Sequence, residues 1–383
     1  MKKIVILHIF SDDKFFDVCS VFFDTLSCVE NLYYFLAPSK NYKFKYITNI
    51  EKIKVFYSFN EYVKNFSNPT VDLIYLQGLN YNQYIYFKYI GNDKKVIWWC
   101  WGYEIYHPFA FRKPLIKLPL YKTLTGKYIC KQPLQRINAF SHSLYHSIKY
   151  WYFALYRNKV IQRIDYFSPV LPIEFQMMQN ECPFFKAKPF MLNGGPSSIK
   201  ELEFTFKENI GNVLIGNSLD YTNNHLDIFS RLHDNMFKKG QKVIVPISYG
   251  NAFNKDSGIL KKYVRHLHCP FIWLEKFIPY NEYCEIFSSV THAIYGVMRQ
   301  QAMGNIFLCL LCGIKVFLFK ESIVYKQLIE SGYFVFSIED DLNDLSLQTL
   351  LSKEQAYNNF QLCMRSKINK KEDAEKEFIN IIP

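Results

Sequence analysis

Hydrophobic positions in the second half of the chain come in short unbroken runs. Val213-Leu214-Ile215, Val243-Ile244-Val245, Phe271-Ile272-Trp273-Leu274, Ala293-Ile294-Tyr295, Val316-Phe317-Leu318-Phe319 and Phe334-Val335-Phe336 are the clearest. Strands that are apolar at every position are buried on both faces, and helix-length segments near 222–238, 255–267, 280–289, 302–312 and 322–331 separate these runs. The pattern predicts βαβ units around a parallel sheet. Gly240 and Gly313 stand where helix C-caps should precede the next strand. The first half repeats the pattern with more interruption, at Ile4–Phe10, Tyr33–Leu36, Val55–Phe59, Leu73–Leu76, Val96–Trp101 and Tyr166–Val170. Asn193-Gly194-Gly195-Pro196-Ser197-Ser198 is the strongest loop signal and separates the halves. The expected architecture is α/β: two Rossmann-like domains, 1–195 and 196–383, facing each other across a cleft. The charged tail over 366–378 reads as a solvated terminal helix.

Composition agrees with a globular chain and adds one local feature. Of 383 residues, 49% are hydrophobic and 21% charged, with 46 Lys plus Arg against 34 Asp plus Glu. Between Ile105 and Ile164 there are eleven Lys/Arg and no acid, which leaves 35 basic and 34 acidic residues elsewhere. The excess is therefore local. It argues for an anionic partner at one place and against a protein that coats nucleic acid. Twelve aromatic residues share the stretch, among them Phe109, Phe111, Tyr121, Tyr128, Tyr150, Trp151, Tyr152 and Phe153. Rings at headgroup level with cations on anionic lipid make a membrane-interfacial element, with Lys113, Lys117, Lys122, Lys127 and Trp151 as candidate contacts. Nucleic acid could use the same chemistry, and a solvated helical hairpin is the plain alternative. No apolar run is long enough to span a bilayer. The apolar start after Met1-Lys2-Lys3 meets Asp12-Asp13 and lacks a small-residue cleavage site, so it reads as a first strand. Ten cysteines show no framework spacing and suit a reducing cytosol.

Candidate chemistry collects at strand ends. Val213–Ile215 runs into Gly216-Asn217-Ser218-Leu219-Asp220 before a helix expected near Thr222, where free amides and the helix dipole favour phosphate. A tight βα turn capped by Thr222 is the alternative. Arg299-Gln300-Gln301 precedes an apolar helix, with Gly304 and Asn305 near its start; the guanidinium offers a fork for phosphate oxygens. Trp98-Trp99-Cys100-Trp101-Gly102-Tyr103-Glu104 ends an aromatic strand on a carboxylate that crowding can tune as a general base. Cys309 and Cys312 read as small buried residues. His142 and His146 read as helix surface, and His266 and His268 lack a partner pair at zinc spacing. A Walker lysine, a G-x-G-x-x-G after a strand and a D-x-D are all missing, so neither nucleotide hydrolysis nor dinucleotide oxidoreduction is expected.

Together these blocks resemble the TDP-N-acetylfucosamine:lipid II N-acetylfucosaminyltransferases of enterobacterial common antigen synthesis, glycosyltransferases of GT-B type. The resemblance rests on Trp101-Gly102 with Glu104 and Tyr106; on Gly216-Asn217-Ser218 with Asp220, Asn224 and His225; on Val245-Pro246 with Tyr249; and on Arg299-Gln300-Gln301 with Gly304, Leu308 and Leu311. His8 followed by Asp12 is similar too. It implies an inverting transfer of a 4-acetamido-4,6-dideoxyhexose from a TDP-sugar to a polyprenyl-diphosphate-linked saccharide, by a peripheral protein on the cytoplasmic face of the inner membrane; no metal is expected, since helix dipoles and Arg299 can take its place. Donor residues would be Gly216, Asn217, Ser218, Asp220, Asn224, His225, Tyr249, Gln300, Gln301, Gly304 and Asn305. Arg299 would neutralise the departing diphosphate, and Glu104, or else Asp12 or His8, would take the acceptor proton. Trp101, Gly102 and Tyr106 would lie on the acceptor side. The chain departs from the family in three ways: Glu104 replaces an Asp, the acid-free stretch is longer, and Ala302-Met303 replaces part of a glycine turn. Rival readings are a nucleotide-sugar epimerase of the same fold and a non-catalytic membrane-binding module.

Overall fold

The computed structural model describes residues 3–381 except 11, 15, 38–39, 45, 67–69, 80–92, 108–111, 132–143, 145–147, 149–150, 152–153, 193–202, 251, 253–256 and 369. Two compact units share the chain. The first comprises 1–117, 138–199 and 366–383, the second 118–137 and 200–365.

The first unit holds the parallel strands β1 (Ile4–Phe10), β2 (Val29–Leu36), β3 (Ile53–Phe56), β4 (Leu73–Gln77), β5 (Lys95–Cys100), β6 (Tyr166–Pro169) and β7 (Lys188–Pro189) in the order β3-β2-β1-β4-β5-β6-β7. The second holds β8 (Asn212–Ile215), β9 (Val243–Pro246), β10 (Phe271–Leu274), β11 (Val290–Tyr295), β12 (Lys315–Leu318) and β13 (Phe336–Ser337) in the order β10-β9-β8-β11-β12-β13. In each, the first six strands follow the Rossmann order 3-2-1-4-5-6. The order in which strands are added therefore reverses between β1 and β4 in one sheet and between β8 and β11 in the other. The crevice outside the strand ends at such a reversal is where open α/β sheets bind ligands. The unbroken apolar runs are these strands: Val213, Leu214 and Ile215 are all fully buried.

Three expectations are corrected. The terminal helices Lys353–Ile368 and Lys370–Ile381 are not a solvated tail, because Ala374, Phe378 and Ile381 are buried in the first unit's core beside Phe23, Tyr75 and Phe190. Their spacing places them on one helical face. The boundary expected at 195/196 misses both this return and the segment 118–137. That segment packs Leu124 and Tyr128 on the second unit's core and donates the Leu124 and Thr125 amides to the Asp227 carboxylate at 2.7 and 2.9 Å. The long helix expected at 222–238 is a 3₁₀ turn, Tyr221–Asn223, followed by the short helix His225–Phe229. The loop signal at 193–198 lies outside the described residues.

Three histidines are buried in these cores. Desolvation lowers the pKa of His8, His225 and His292 to about 4. Each stays neutral when folded and takes up a proton on unfolding below its ordinary value of 6.5. Their contribution is complete above pH 6.5 and is lost as pH falls towards 4, by up to about 1.4 kcal/mol per pH unit for each. Urea midpoints across that window should decline steeply; a flat profile would show these sites hydrated.

Candidate active site

In the second unit the β8–β11 reversal brings the two sequence blocks together: Gly216 follows β8, and Gly296 through Gln301 follow β11. Gly216 has φ 69, and a Cβ there would stand 2.6 Å from Nε2 of the buried His225. The amides of this loop are engaged within the protein. Gly216 N donates to the Ile294 carbonyl at 2.9 Å, Asn217 N to Asn223 Oδ1 at 3.1 Å and Leu219 N to the Tyr249 carbonyl at 2.7 Å. The loop is thus a tightly packed turn whose N–H groups at Gly216, Asn217 and Leu219 are spoken for, which corrects the expectation of free amides there.

Asn224 is a clamp rather than a donor ligand. Its Nδ2 donates to the Gly296 carbonyl at 2.7 Å, tying the β8 and β11 loops, and its Oδ1 accepts from Lys122 N at 2.8 Å. It sits at φ 50, a backbone region that asparagine tolerates. His225 is enclosed, neutral and without a hydrogen-bond partner on either nitrogen, so it cannot offset phosphate charge. Asn217 Nδ2 donates to the half-exposed Tyr249 hydroxyl at 2.7 Å, and Ser218 Oγ accepts from Asn223 at 2.9 Å and donates to Asp220 at 3.4 Å.

The other arm has room. Gln300 is buried, Gln301 half-buried, and Arg299 Nη1 donates to the Gln300 carbonyl at 2.7 Å. Ala302 turns the chain at φ 59 into the nine-residue helix Met303–Leu311, whose N-cap makes no side-chain bond to the first turn. Nothing lies within 4 Å of the position a Cβ would take on Gly304, while Asn305 donates to the Tyr283 hydroxyl at 3.1 Å. Of the two loops, this helix start is the better anion cradle, with a guanidinium beside it. Sequence reasoning missed Tyr121, whose hydroxyl is shifted up by desolvation, with Arg299 and Asp220 acting in opposite directions. It also missed Tyr283 and Asn223. No local signal marks any of them.

In the first unit Glu104 sits in the short helix Tyr103–Tyr106 after β5, behind Gly102 at φ 92. Its Oε1 accepts from Trp101 N at 2.9 Å and Trp98 Nε1 at 3.3 Å; its Oε2 is buried without a partner. Burial raises its pKa above the ordinary 4.5 against those donors. Trp101 stacks on Trp99 at 4.8 Å between ring centroids. Asp12 lies exposed after β1 and caps Lys14 N at 2.9 Å. Two candidates are corrected here. His8 is enclosed by Phe23, Tyr33 and Tyr75 with Nε2 on Asn31 at 3.0 Å, a core histidine out of an acceptor's reach. Tyr106 is buried, its hydroxyl donating to the buried Glu174 at 2.8 Å, which makes it a brace.

Among the basic residues, Lys113, Lys117 and Lys127 are exposed. Lys122 is not available to a membrane: its ammonium lies 3.1 Å from Glu321 and 3.4 Å from Glu339, over the Phe319 ring. Phe109, Phe111, Tyr150, Tyr152, Phe153, His142 and His146 lie outside the described residues. Helix continues through 154–163, and Leu144, Ile148 and Trp151 are also helical. Its buried face carries Ala154, Arg157 and Ile161, whereas Leu144, Ile148, Trp151 and Leu155 are 37%, 63%, 55% and 52% exposed. Among the described residues no group of His, Cys, Asp and Glu is arranged to hold a metal, and no helix is long and apolar enough to cross a membrane.

Residues 189–364 match the model of a family described as 4-alpha-L-fucosyltransferase, glycosyl transferase group 56. No curated protein matches the chain significantly in sequence. Among solved structures, the lipopolysaccharide outer core galactosyltransferase WaaB superimposes with a TM-score of 0.61 at 13% identity, over 99% of this chain and 100% of that one. A glycosyltransferase from Rickettsia africae gives 0.60 at 10%, over 100% and 98%. HepE of Anabaena, in complex with UDP and glucose, gives 0.60 at 11%, over 99% of each. At such identities these likenesses establish the shared two-Rossmann GT-B fold, and the family match adds the class of chemistry. The protein is a glycosyltransferase built on two Rossmann-like units, and its residues 189–364 carry the sequence pattern of the group 56 4-alpha-L-fucosyltransferases.

Proposed function

We propose that the protein transfers a 4-acetamido-4,6-dideoxyhexose from a TDP-sugar to a polyprenyl-diphosphate-linked saccharide, with inversion and without a metal, on the cytoplasmic face of a bacterial inner membrane. The observation that carries this reading is the polar block Arg299–Asn305 at the β8–β11 reversal, inside the region that matches the group 56 family. The UDP bound to HepE supports a nucleotide-sugar donor. In this mechanism the donor diphosphate lies at the start of the helix Met303–Leu311, with Arg299 against the charge that builds on it. The acceptor hydroxyl attacks the anomeric carbon, the bond from that carbon to the phosphate oxygen breaks, and Glu104 Oε2 takes the hydroxyl proton. Cationic and helix-end stabilisation of the leaving group serves in place of a divalent ion.

An acceptor held in a bilayer needs an enzyme that docks on it. Leu144, Ile148, Trp151 and Leu155 are helical, exposed and apolar, and they follow one another at four, three and four residues, the spacing of one helical stripe. In sequence the stripe lies within the stretch Ile105–Ile164, which carries cations and no acid. The stripe supplies apolar insertion, and each lysine near an anionic surface adds about 1 kcal/mol. Vesicle flotation tests the docking. Replacing the four stripe residues by Ser, or Lys113, Lys117 and Lys127 by Gln, should move the protein to the soluble fraction with phosphatidylglycerol vesicles and spare transfer to a water-soluble acceptor analogue. Equal binding to neutral and anionic vesicles, or none, would contradict it.

A further inference from the structure

Gln77 is the last residue of β4 and stands in the sheet row Phe10–Gln77–Trp99. It is only 3% exposed, yet neither its amide oxygen nor its amide nitrogen has a hydrogen-bond partner. A primary amide offers two donors and two acceptor sites, and burying them unmet works against folding. The residues two and four positions earlier on the same side of the strand, Tyr75 and Leu73, belong to the hydrophobic core. An apolar side chain at 77 would continue that column and stabilise the fold. The sequence instead places an amide at the β1–β4 reversal, where the sheet ends.

The next residue connects this position to the catalytic turn. Gly78 has φ 85, and a Cβ on it would lie 3.5 Å from the Tyr103 hydroxyl and 3.8 Å from Glu104 Oε1. Glu104 Oε2 is also buried without a partner, as are the Tyr75 hydroxyl on β4 and Ser168 Oγ on β6. Gln77 thus closes β4, and Glu104 follows the end of the neighbouring β5, in the helix Tyr103–Tyr106. We infer that Gln77 is an acceptor-binding residue: its amide holds a neutral group that both donates and accepts, a hydroxyl or an acetamido of the acceptor saccharide, beside the hydroxyl that Glu104 deprotonates. An ionised group would suit the site less, since the amide carries no charge and its row neighbours Phe10 and Trp99 supply none. The inference rests on the proposed transfer to a glycan.

The test uses Gln77→Met, close in volume and without the amide, and measures both stability and kinetics. Without substrates its Tm should equal or exceed that of the wild type, because an unmet buried amide has been removed. With a water-soluble acceptor analogue, KM for the acceptor should rise about tenfold, as expected for loss of a neutral hydrogen-bonded pair. KM for the donor should stay within about twofold, since the donor is assigned to the other unit. A Tm several degrees lower with an unaltered acceptor KM would show that Gln77 serves the fold, and unaltered values of both would leave it no role; either overturns the inference alone. If the wild-type protein transferred sugar to no glycan, the proposed function itself would fall, and the acceptor role with it.

Discussion

Glu104→Gln should lower kcat by about two to four orders of magnitude, the range associated with a positioned general base. The fold should survive. Gln keeps an oxygen for the Trp101 amide and the Trp98 indole N–H, the two bonds that hold Glu104 Oε1. What is lost is Oε2, buried, without a partner and on a carboxylate that burial shifts towards the protonated form. A raised pKa makes the carboxylate a stronger base, provided it is ionised at the working pH. The acid limb of kcat/KM should therefore have its midpoint above 4.5 and should vanish in the variant. Activity within tenfold of wild type, with the limb intact, would pass the role to another group, and Asp12 after β1 stands next.

Arg299→Ala carries the second large effect. Arg299 stands between β11 and the helix Met303–Leu311, and in the proposed transfer the charge it meets grows as the diphosphate leaves. Such an interaction is stronger in the transition state than in the ground state, so kcat should fall by about a hundredfold or more. The hydrogen bond from Nη1 to the adjacent Gln300 carbonyl is lost as well, and such a bond bears on stability by about 1 kcal/mol. Steady-state kinetics beside a urea titration separates the two. A raised donor KM with unchanged kcat would reduce Arg299 to ground-state binding.

What the sequence disclosed follows from where each interaction is made. Parallel strands such as Val213–Ile215 are buried on both sides, so they advertise themselves as apolar runs whatever surrounds them. Arg299 and Gln300 were legible for the converse reason: polar residues stand out after a strand that is entirely buried. His8 was not legible, because its role depends on Phe23, Tyr33 and Tyr75 closing over it from other elements. Asn224 looked like a ligand until the Gly296 carbonyl and the Lys122 amide, far away in sequence, accounted for its amide. The excursion of 118–137 into the second unit has no local signature either, since it rests on Asp227 and on core contacts a hundred residues away. Gln77 at the end of Leu73–Leu76 reads as an ordinary strand boundary, and only its burial without partners sets it apart. Ala374, Phe378 and Ile381 did carry a helical period that the surrounding charges masked.

The central claim is a single-displacement transfer from a nucleotide sugar to a saccharide. Its most direct test is NMR of the product made from a TDP-linked 4-acetamido-4,6-dideoxyhexose and a short-chain polyprenyl-diphosphate saccharide. The account predicts a new glycosidic bond whose anomeric configuration is opposite to that of the donor, formed in proportion to the TDP released. A bond with the donor's configuration, or conversion of the nucleotide sugar with no acceptor present, would contradict it.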